Sequence, residues 1–260
     1  MRLVEGHPAV LLEKPEKCLV VADLHLGFEE ELRLKGIRVP SYSRTILEEL
    51  KFLMDRTEAK KLIIAGDLKH NIPGPSKIDS EILPKFLTEM KQNAEVVIIP
   101  GNHDGQIEKI AEGLAQVQRS RGLYVAEEEV AVTHGHMRPD GSLINAKVMV
   151  AGHLHPVLRI GGGHAGARIR VWLRLRASRK DFLKALYGAA AGRAKGEVTL
   201  LIMPSFNDFL QGRSVNDLGP SKLVRGPILR SGVFDIDEAE VITLDGDVLG
   251  TLGELRDVLK

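Results

Sequence analysis

One cysteine, Cys18, in 260 residues excludes an internal disulfide. It falls in an apolar run at 18–22 and reads as a small buried side chain rather than a nucleophile. No apolar run approaches the length of a membrane span, and residues 1–10 lack the pattern of a signal peptide. A cytoplasmic protein that does not engage a membrane is the expectation. An excess of charge of one sign is also missing: 36 Lys and Arg against 35 Asp and Glu leave +1. Bulk electrostatics therefore nominate no partner, although acidic stretches at 29–31, 127–129 and 235–240 stand against a basic one at 168–195. There is no internal repeat and no convincing linker, and the length suffices to bury a core without disulfides or structural zinc.

Histidine is patterned where these are scarce. Seven of the nine histidines occupy five short motifs. In order they are Asp23-Leu24-His25, Gly66-Asp67-Leu68-Lys69-His70, Gly101-Asn102-His103-Asp104, His134-Gly135-His136 and Gly152-His153-Leu154-His155. Each follows an apolar, strand-like run, at 18–22, 62–65, 96–99, 130–133 and 148–151. Helical spacing occupies 29–35, 43–55 and 82–92. In the second of these Ile46, Leu50, Leu53 and Met54 share a face and Ser43 is available as N-cap. Alternating strand and helix predicts a largely parallel sheet, with its site in the loops that leave the strands' carboxyl ends.

After 151 the pattern changes. A glycine turn at 161–163 leads to a strand at 168–176, a helix at 178–187 with Ser178 as cap, and a strand at 198–203. A hairpin within 233–250 turns at Asp245-Gly246-Asp247. The expectation is a single domain over residues 1–260, with a second, more antiparallel sheet and a β-rich extension packed on it from about 198.

Strands that end in Asp, Asn and His gather ligands around one point. Two divalent ions about 4 Å apart can clamp the attacking and leaving oxygens of a phosphoryl transfer, given a bridging carboxylate and a donor near the leaving oxygen. Mixed carboxylate, amide and imidazole ligands suit Mn, Fe, Ni, Co or Zn better than Mg, with Mn foremost among the candidates. The order DLH, GDLKH, GNHD, HG, GHLH resembles the calcineurin-like metallophosphoesterase superfamily over residues 23–155. That resemblance implies an α/β fold, a four-layer αββα sandwich of two mixed β-sheets flanked by helices. It implies that Asp23, His25, Asp67 and His155 hold one metal, while Asp67, Asn102, His134 and His153 hold a second. It further implies that His103 serves the leaving oxygen while a metal-bridging hydroxide attacks phosphorus. His70 departs from the pattern: many members carry Asp there, and the nuclease subunit of the double-strand-break repair complex carries a similar Gly-Asp-Leu-x-His. A catalytic contact through His70 and a supporting role stand about even. His136 and Asp104 read as support.

Shorter segments at 19–27, 146–156, 171–174 and 203–206 are similar to a branch of archaeal phosphoesterases and bacterial enzymes encoded beside DNA ligase and helicase genes. This implies a phosphodiesterase or nuclease acting on DNA or RNA in repair, with helicase- or ligase-associated proteins as candidate partners and a dimer as one open state. Independently, period-two alternation puts Arg168, Arg170, Trp172, Arg174 and Arg176 on one strand face. Such a face can track a phosphate backbone and stack a base, and a solvated edge strand is the plainer reading. The loop at 161–166 with His164 reads as a lid or an ordinary hairpin, and 206–209 as packing or a stacking surface. The alternative functions are hydrolysis of small phosphates such as cyclic nucleotides, dinucleoside polyphosphates or monoesters, and a non-catalytic binding module.

Overall fold

Six short strands form the first sheet in chain order: β1 (Arg2–Leu3), β2 (Val10–Leu12), β3 (Cys18–Val21), β4 (Lys61–Ala65), β5 (Glu95–Ile99) and β6 (Gln116–Val117). The computed structural model describes residues 1–70, 77–161, 166–188, 194–210 and 212–259. The sequence places a Pro/Gly loop at 73–75; that loop, His164 and Arg193 lie outside the described residues. β1 to β3 pair antiparallel, whereas β3 to β6 run parallel. Parallel pairs need crossovers. These are supplied by α1 (Phe28–Leu34) and α2 (Tyr42–Thr57) before β4, by α3 (Leu83–Lys91) before β5, and by α4 (Ile107–Ile110) before β6. On α2 the residues Ile46, Leu50, Leu53 and Met54 are all buried, as their spacing requires. Its N-cap is Ser41 rather than the expected Ser43. Ser43 instead accepts from the Gly27 N–H at 3.0 Å and donates to the Glu29 carboxylate at 2.9 Å, tying α2 to the start of α1.

The remaining strands are β7 (Leu123–Val125), β8 (Val130–Thr133), β9 (Val148–Ala151), β10 (Pro156–Ile160), β11 (Ala167–Arg170), β12 (Trp172–Ser178), β13 (Glu197–Ile202), β14 (Arg213–Ser214), β15 (Glu240–Ile242) and β16 (Val248–Thr251). Seven build a second sheet in the order β16-β15-β12-β13-β9-β8-β7. Its centre, β13-β9-β8, is parallel and its flanks are antiparallel. A small third sheet, β11-β10-β14, stands apart. α5 (Arg179–Tyr187) links β12 to β13 and is capped by Ser178, whose hydroxyl accepts from the Asp181 N–H. α6 (Pro220–Leu223), α7 (Gly226–Arg230) and α8 (Leu252–Val258) complete the helices.

Alternation along the strands builds the layers. Val10, Leu12, Val20, Ile63, Val97 and Ile99 of the first sheet meet Val130, Val132, Val150, Trp172 and Leu201 of the second in one buried cluster between the sheets. Their alternates Leu19, Val21, Leu62, Ile64 and Ile98 pack with Leu50, Leu53, Phe86 and Leu87 of the first helical layer. Met149, Leu173, Leu175 and Leu200 pack with Phe182, Leu183, Ile228 and Leu252 of the second. The result is helix, sheet, sheet, helix, and both sheets are mixed. Cys18 is buried in the shared core, and burial pushes its thiol up to about 11.

Two expectations change. β13 lies in the middle of the second sheet, so the chain from 198 onward is woven into that sheet rather than added to it. The strand at 168–176 is two strands in two sheets, because the chain passes from β11 to β12 at Val171. The hairpin turn before β16 is as expected, closed by the Gly246 N–H to Thr243 O.

Candidate metal centre

All five motifs sit where strands end: the first three after β3, β4 and β5 of one sheet, the other two after β8 and β9 of the facing sheet. Asp23, His25, Asp67, His153 and His155 each adopt a positive φ, between 42° and 72°. Left-handed backbone at a non-glycine residue costs on the order of 1 kcal/mol or more and persists only where surroundings enforce it. Here each turn aims its side chain at the seam between the sheets. The motif glycines have a steric cause. A Cβ at Gly101 would stand 2.2 Å from Asp67 Oδ1, and one at Gly66 would stand 2.3 Å from the His134 ring.

Ligand-type atoms converge in overlapping sets. Those of Asp23, His25, Asp67 and His155 lie within 4.8 Å of one another, and so do those of Asp67, His134 and His153. Asp67 belongs to both. Asn102 joins the second set, its Oδ1 standing 3.2 Å from His134 Nε2. His134 donates from Nδ1 to the Ala65 carbonyl at 3.0 Å, which leaves Nε2 to carry a lone pair in the neutral ring. That nitrogen then faces Asn102 Oδ1 and, at 3.3 Å, Asp67 Oδ2. With the ring neutral these are three acceptors facing one point, a repulsion that either a proton on His134 or a cation among them removes. His155 Nε2 and Asp23 Oδ1 are 2.9 Å apart yet are not aligned as a hydrogen bond, and both ring nitrogens of buried His25 lack a partner. This donor set fits two divalent ions, and its mixture of carboxylate, amide and imidazole suits a borderline transition metal.

Electrostatics agree. Burial drives His25 down to about 3 and His153 to about 4, keeping both imidazoles neutral and able to coordinate. Burial opposes charge on His134 too, but its bond to Asp67 and the nearby Asp23 charge push it up to about 9. Burial likewise works against the Asp23 and Asp67 carboxylates. Even so, His155 and His134 hold Asp23, and His134 and His25 hold Asp67, below the usual range. Two carboxylates enclosed together thus collect a proton on a histidine, the compensation a metal ion supplies more strongly.

Residues 17–157, more than half of the chain, match the model of the calcineurin-like phosphoesterase family. The chain belongs to that family. Among solved structures it is similar to the nuclease MPE of Pseudomonas putida, with 20% identity, coverage of 88% of this chain and 84% of that one, and a TM-score of 0.50. It is also similar to the YfcE phosphoesterase of E. coli, with 15% identity, coverage of 90% and 96%, and a TM-score of 0.39. The protein is therefore a metallophosphoesterase, of a family that is dinuclear and metal-dependent.

Around the ligand sets the phosphoesterase places its remaining histidines. His103 is one-third exposed, its main-chain N–H donates to Asp67 Oδ1 at 2.9 Å, and its Nε2 lies 3.9 Å from Asp67 Oδ2. His70 stacks nearly parallel on His103, with ring centres 6.0 Å apart, and its Nε2 is engaged by Glu31 at 2.5 Å. Only Nδ1 of His70 remains for the site, where His25, His70 and His103 form a third convergent group. His136 lies beside His134, 5.1 Å between ring centres, with Nδ1 buried and unpartnered. Asp104 accepts from the main-chain N–H groups of Gly101 and Lys69, bracing two ligand loops together.

The proposed nucleic-acid face at 168–176 does not form. Trp172 has no exposed surface and packs between the sheets, so it cannot stack a base. Arg174 and Arg176 pair with Glu240, and Arg170 donates to the main-chain oxygens of Ser205 and Phe206. Arg168 is exposed on β11 in the separate small sheet. Sequence reasoning missed Ser205 and Asn207, which follow β13 and bond to the Asp23 and Leu24 carbonyls, each at 2.9 Å. It also missed Glu31. Pairwise contacts of this kind, 39 to 183 residues apart, leave no local signature. Phe206 is buried, whereas Phe209 is partly exposed and packs edge-on against Tyr42.

Proposed function

We propose that this metallophosphoesterase is a dinuclear phosphodiesterase whose substrate is nucleic acid, with manganese as the foremost metal. The observation that carries the reading is the pair of ligand sets overlapping at Asp67, with an adjoining open cavity walled by cations. In this assignment Asp23, His25, Asp67 and His155 hold one ion, and Asp67, Asn102, His134 and His153 the other. When bound, two such ions neutralise phosphate oxygens and activate water at neutral pH. His103, at the rim, donates a proton from Nε2 to the departing oxygen, with its loop fixed by Asp67 and Asp104. Glu31 orients His70, which supports His103 by stacking. The structural neighbour from P. putida bears the name of a nuclease, which is compatible with a polymeric substrate here. A role in repair beside helicase or ligase proteins is the biological setting that the branch resemblance suggests.

A substrate panel tests the reading. Metal-loaded protein is offered single-stranded DNA, RNA, cyclic nucleotides and phosphomonoesters, with Mn, Co, Ni, Zn and chelator arms. Cleavage of strands ahead of monoesters is expected; preference for monoesters overturns the nucleic-acid assignment.

A further inference from the structure

The cavity of about 670 Å³ beside the ligand cluster is bounded by His136 and His153 on one side and by Arg213, Lys222, Arg225 and Arg230 on the other. Among the described residues no acidic one lines it. Among the described residues none of these four cations forms an ion pair, and Asp217, the acidic residue nearest in sequence to Arg213, is paired with Arg159 at 2.8 Å. In a chain of net charge +1, four unneutralised cations at one cavity are not explained by bulk composition.

The backbone ties this wall to the ligand loops. The Arg213 N–H donates to the carbonyl of His155 at 2.8 Å, and β14 runs parallel to β10, the strand that follows that loop. On the other flank, Gly226 packs so closely on the His134–His136 turn that a Cβ there would stand 2.2 Å from Gly135 O. Arg225 is thereby seated against the second loop. Arg213 and Arg225 line the same cavity, so two like charges face one space, and burial together with the neighbouring Arg225 lowers the Arg213 pKa. An anion between them relieves that repulsion, and a phosphate matches the planar fork of a guanidinium.

We propose that this cavity is a subsite for the phosphate next to the scissile one on a nucleic-acid strand, with Arg213 and Arg225 as its contacts and Lys222 and Arg230 continuing the track. The proposal rests on the phosphodiesterase reading above. The phosphate belongs to a neighbouring internucleotide link; the terminal phosphate of a small nucleotide is the competing source.

The test uses the full chain in chelator, so that no cleavage occurs, and follows anisotropy of a fluorescent single-stranded oligonucleotide across a salt series. Binding to single strands loses about 0.7 in log–log salt slope for each phosphate contact removed. Arg213→Ala with Arg225→Ala is therefore expected to flatten the slope by about 1.4 and to weaken low-salt binding roughly tenfold. Arg56→Ala, on the outer helical layer, leaves both unchanged. An unaltered slope in the double variant, with its circular dichroism intact, overturns the subsite. Competition by a mononucleotide as strong as that by the strand shifts the source to a terminal phosphate and overturns the internucleotide assignment. In a parallel arm with metal, the double variant loses strand cleavage by a larger factor than turnover of bis(p-nitrophenyl) phosphate, which has no neighbouring phosphate; equal losses overturn the subsite. Wild-type protein that binds strands through these arginines yet cleaves only the small ester supports a strand-phosphate contact at Arg213 and Arg225 while sinking the nuclease reading and, with it, the place next to a scissile phosphate. Wild-type protein that cleaves strands no better than the double variant does the reverse.

Discussion

Asp67 concentrates the chemistry of the site. Its carboxylate belongs to both ligand sets, accepts from the His103 N–H and stands 3.5 Å from His25 Nε2 and 3.3 Å from His134 Nε2. Asp67→Asn preserves the shape and removes the charge. Metal content per chain is expected to fall from two toward one or none, with hydrolysis of an activated phosphodiester reduced by at least about 100-fold, given that even outer contacts to metal ligands are worth 10–100-fold. Metal analysis of the purified variant alongside turnover checks both, and a variant with two tightly held ions and wild-type turnover would refute the bridging role. Glu31 invites a milder change. Glu31→Gln keeps a group that can bond His70 Nε2 and removes the carboxylate that orients it. The expectation is a drop of roughly tenfold in kcat with KM little altered, because the effect acts through His70 and not on substrate binding. An equal change in KM alone would place Glu31 in substrate contact instead.

The elements that aim these residues were legible to different degrees. β3, β5 and α5 announced themselves by apolar runs and by Ser178 as cap, and the five motifs marked the strand ends because ligand residues must leave a strand where its pairing stops. Non-local facts were hidden. Nothing local says that the chain changes sheets at Val171, and a period-two pattern reads the same whether it covers one strand or two. That is why Trp172 looked exposed among arginines and proved to be core. Similarly, Ser205 and Asn207 look like loop residues but tie the exit of β13 to the exit of β3 across the two sheets. Ser205→Ala leaves the buried Asp23 carbonyl without this donor, and is expected to cost about 1–3 kcal/mol in urea unfolding and to weaken metal binding. Cys18 supplies a pH test at the level of its strand. Burial raises its folded pKa from 9.0 to about 11, so its contribution is complete below pH 9 and is lost as pH rises toward 11. Wild-type stability should fall more steeply than that of Cys18→Ala across that window, and parallel pH profiles would show that the thiol is not the cause.

At the scale of the whole molecule, the site is a joint between two sheets. Asp23, His25, Asp67 and Asn102 come from the ends of β3, β4 and β5, whereas His134, His153 and His155 come from β8 and β9 of the facing sheet. Metal ions held by both groups bind the folded arrangement and not the unfolded chain, so metal affinity becomes folding stability. At a free metal concentration 100 times the dissociation constant, one site contributes about 2.7 kcal/mol. For a chain of this size each kcal/mol moves the melting temperature by about 2–4 °C, so chelation is expected to lower it by roughly 5–10 °C per site occupied. Scanning calorimetry of the same preparation with chelator, and then with Mn restored, measures this directly. The linkage makes a sharper demand than a simple loss of stability. Asp67→Asn should keep at most one site's share of the metal-dependent shift, because the shared ligand is gone. His136→Ala, which removes a neighbour of the cluster outside both ligand sets, should retain most of the metal-dependent shift. If chelation left the wild-type melting temperature unchanged while turnover disappeared, the ions would not bind the folded chain in preference to the unfolded one, and the joint between the sheets would have to be attributed to the apolar core alone.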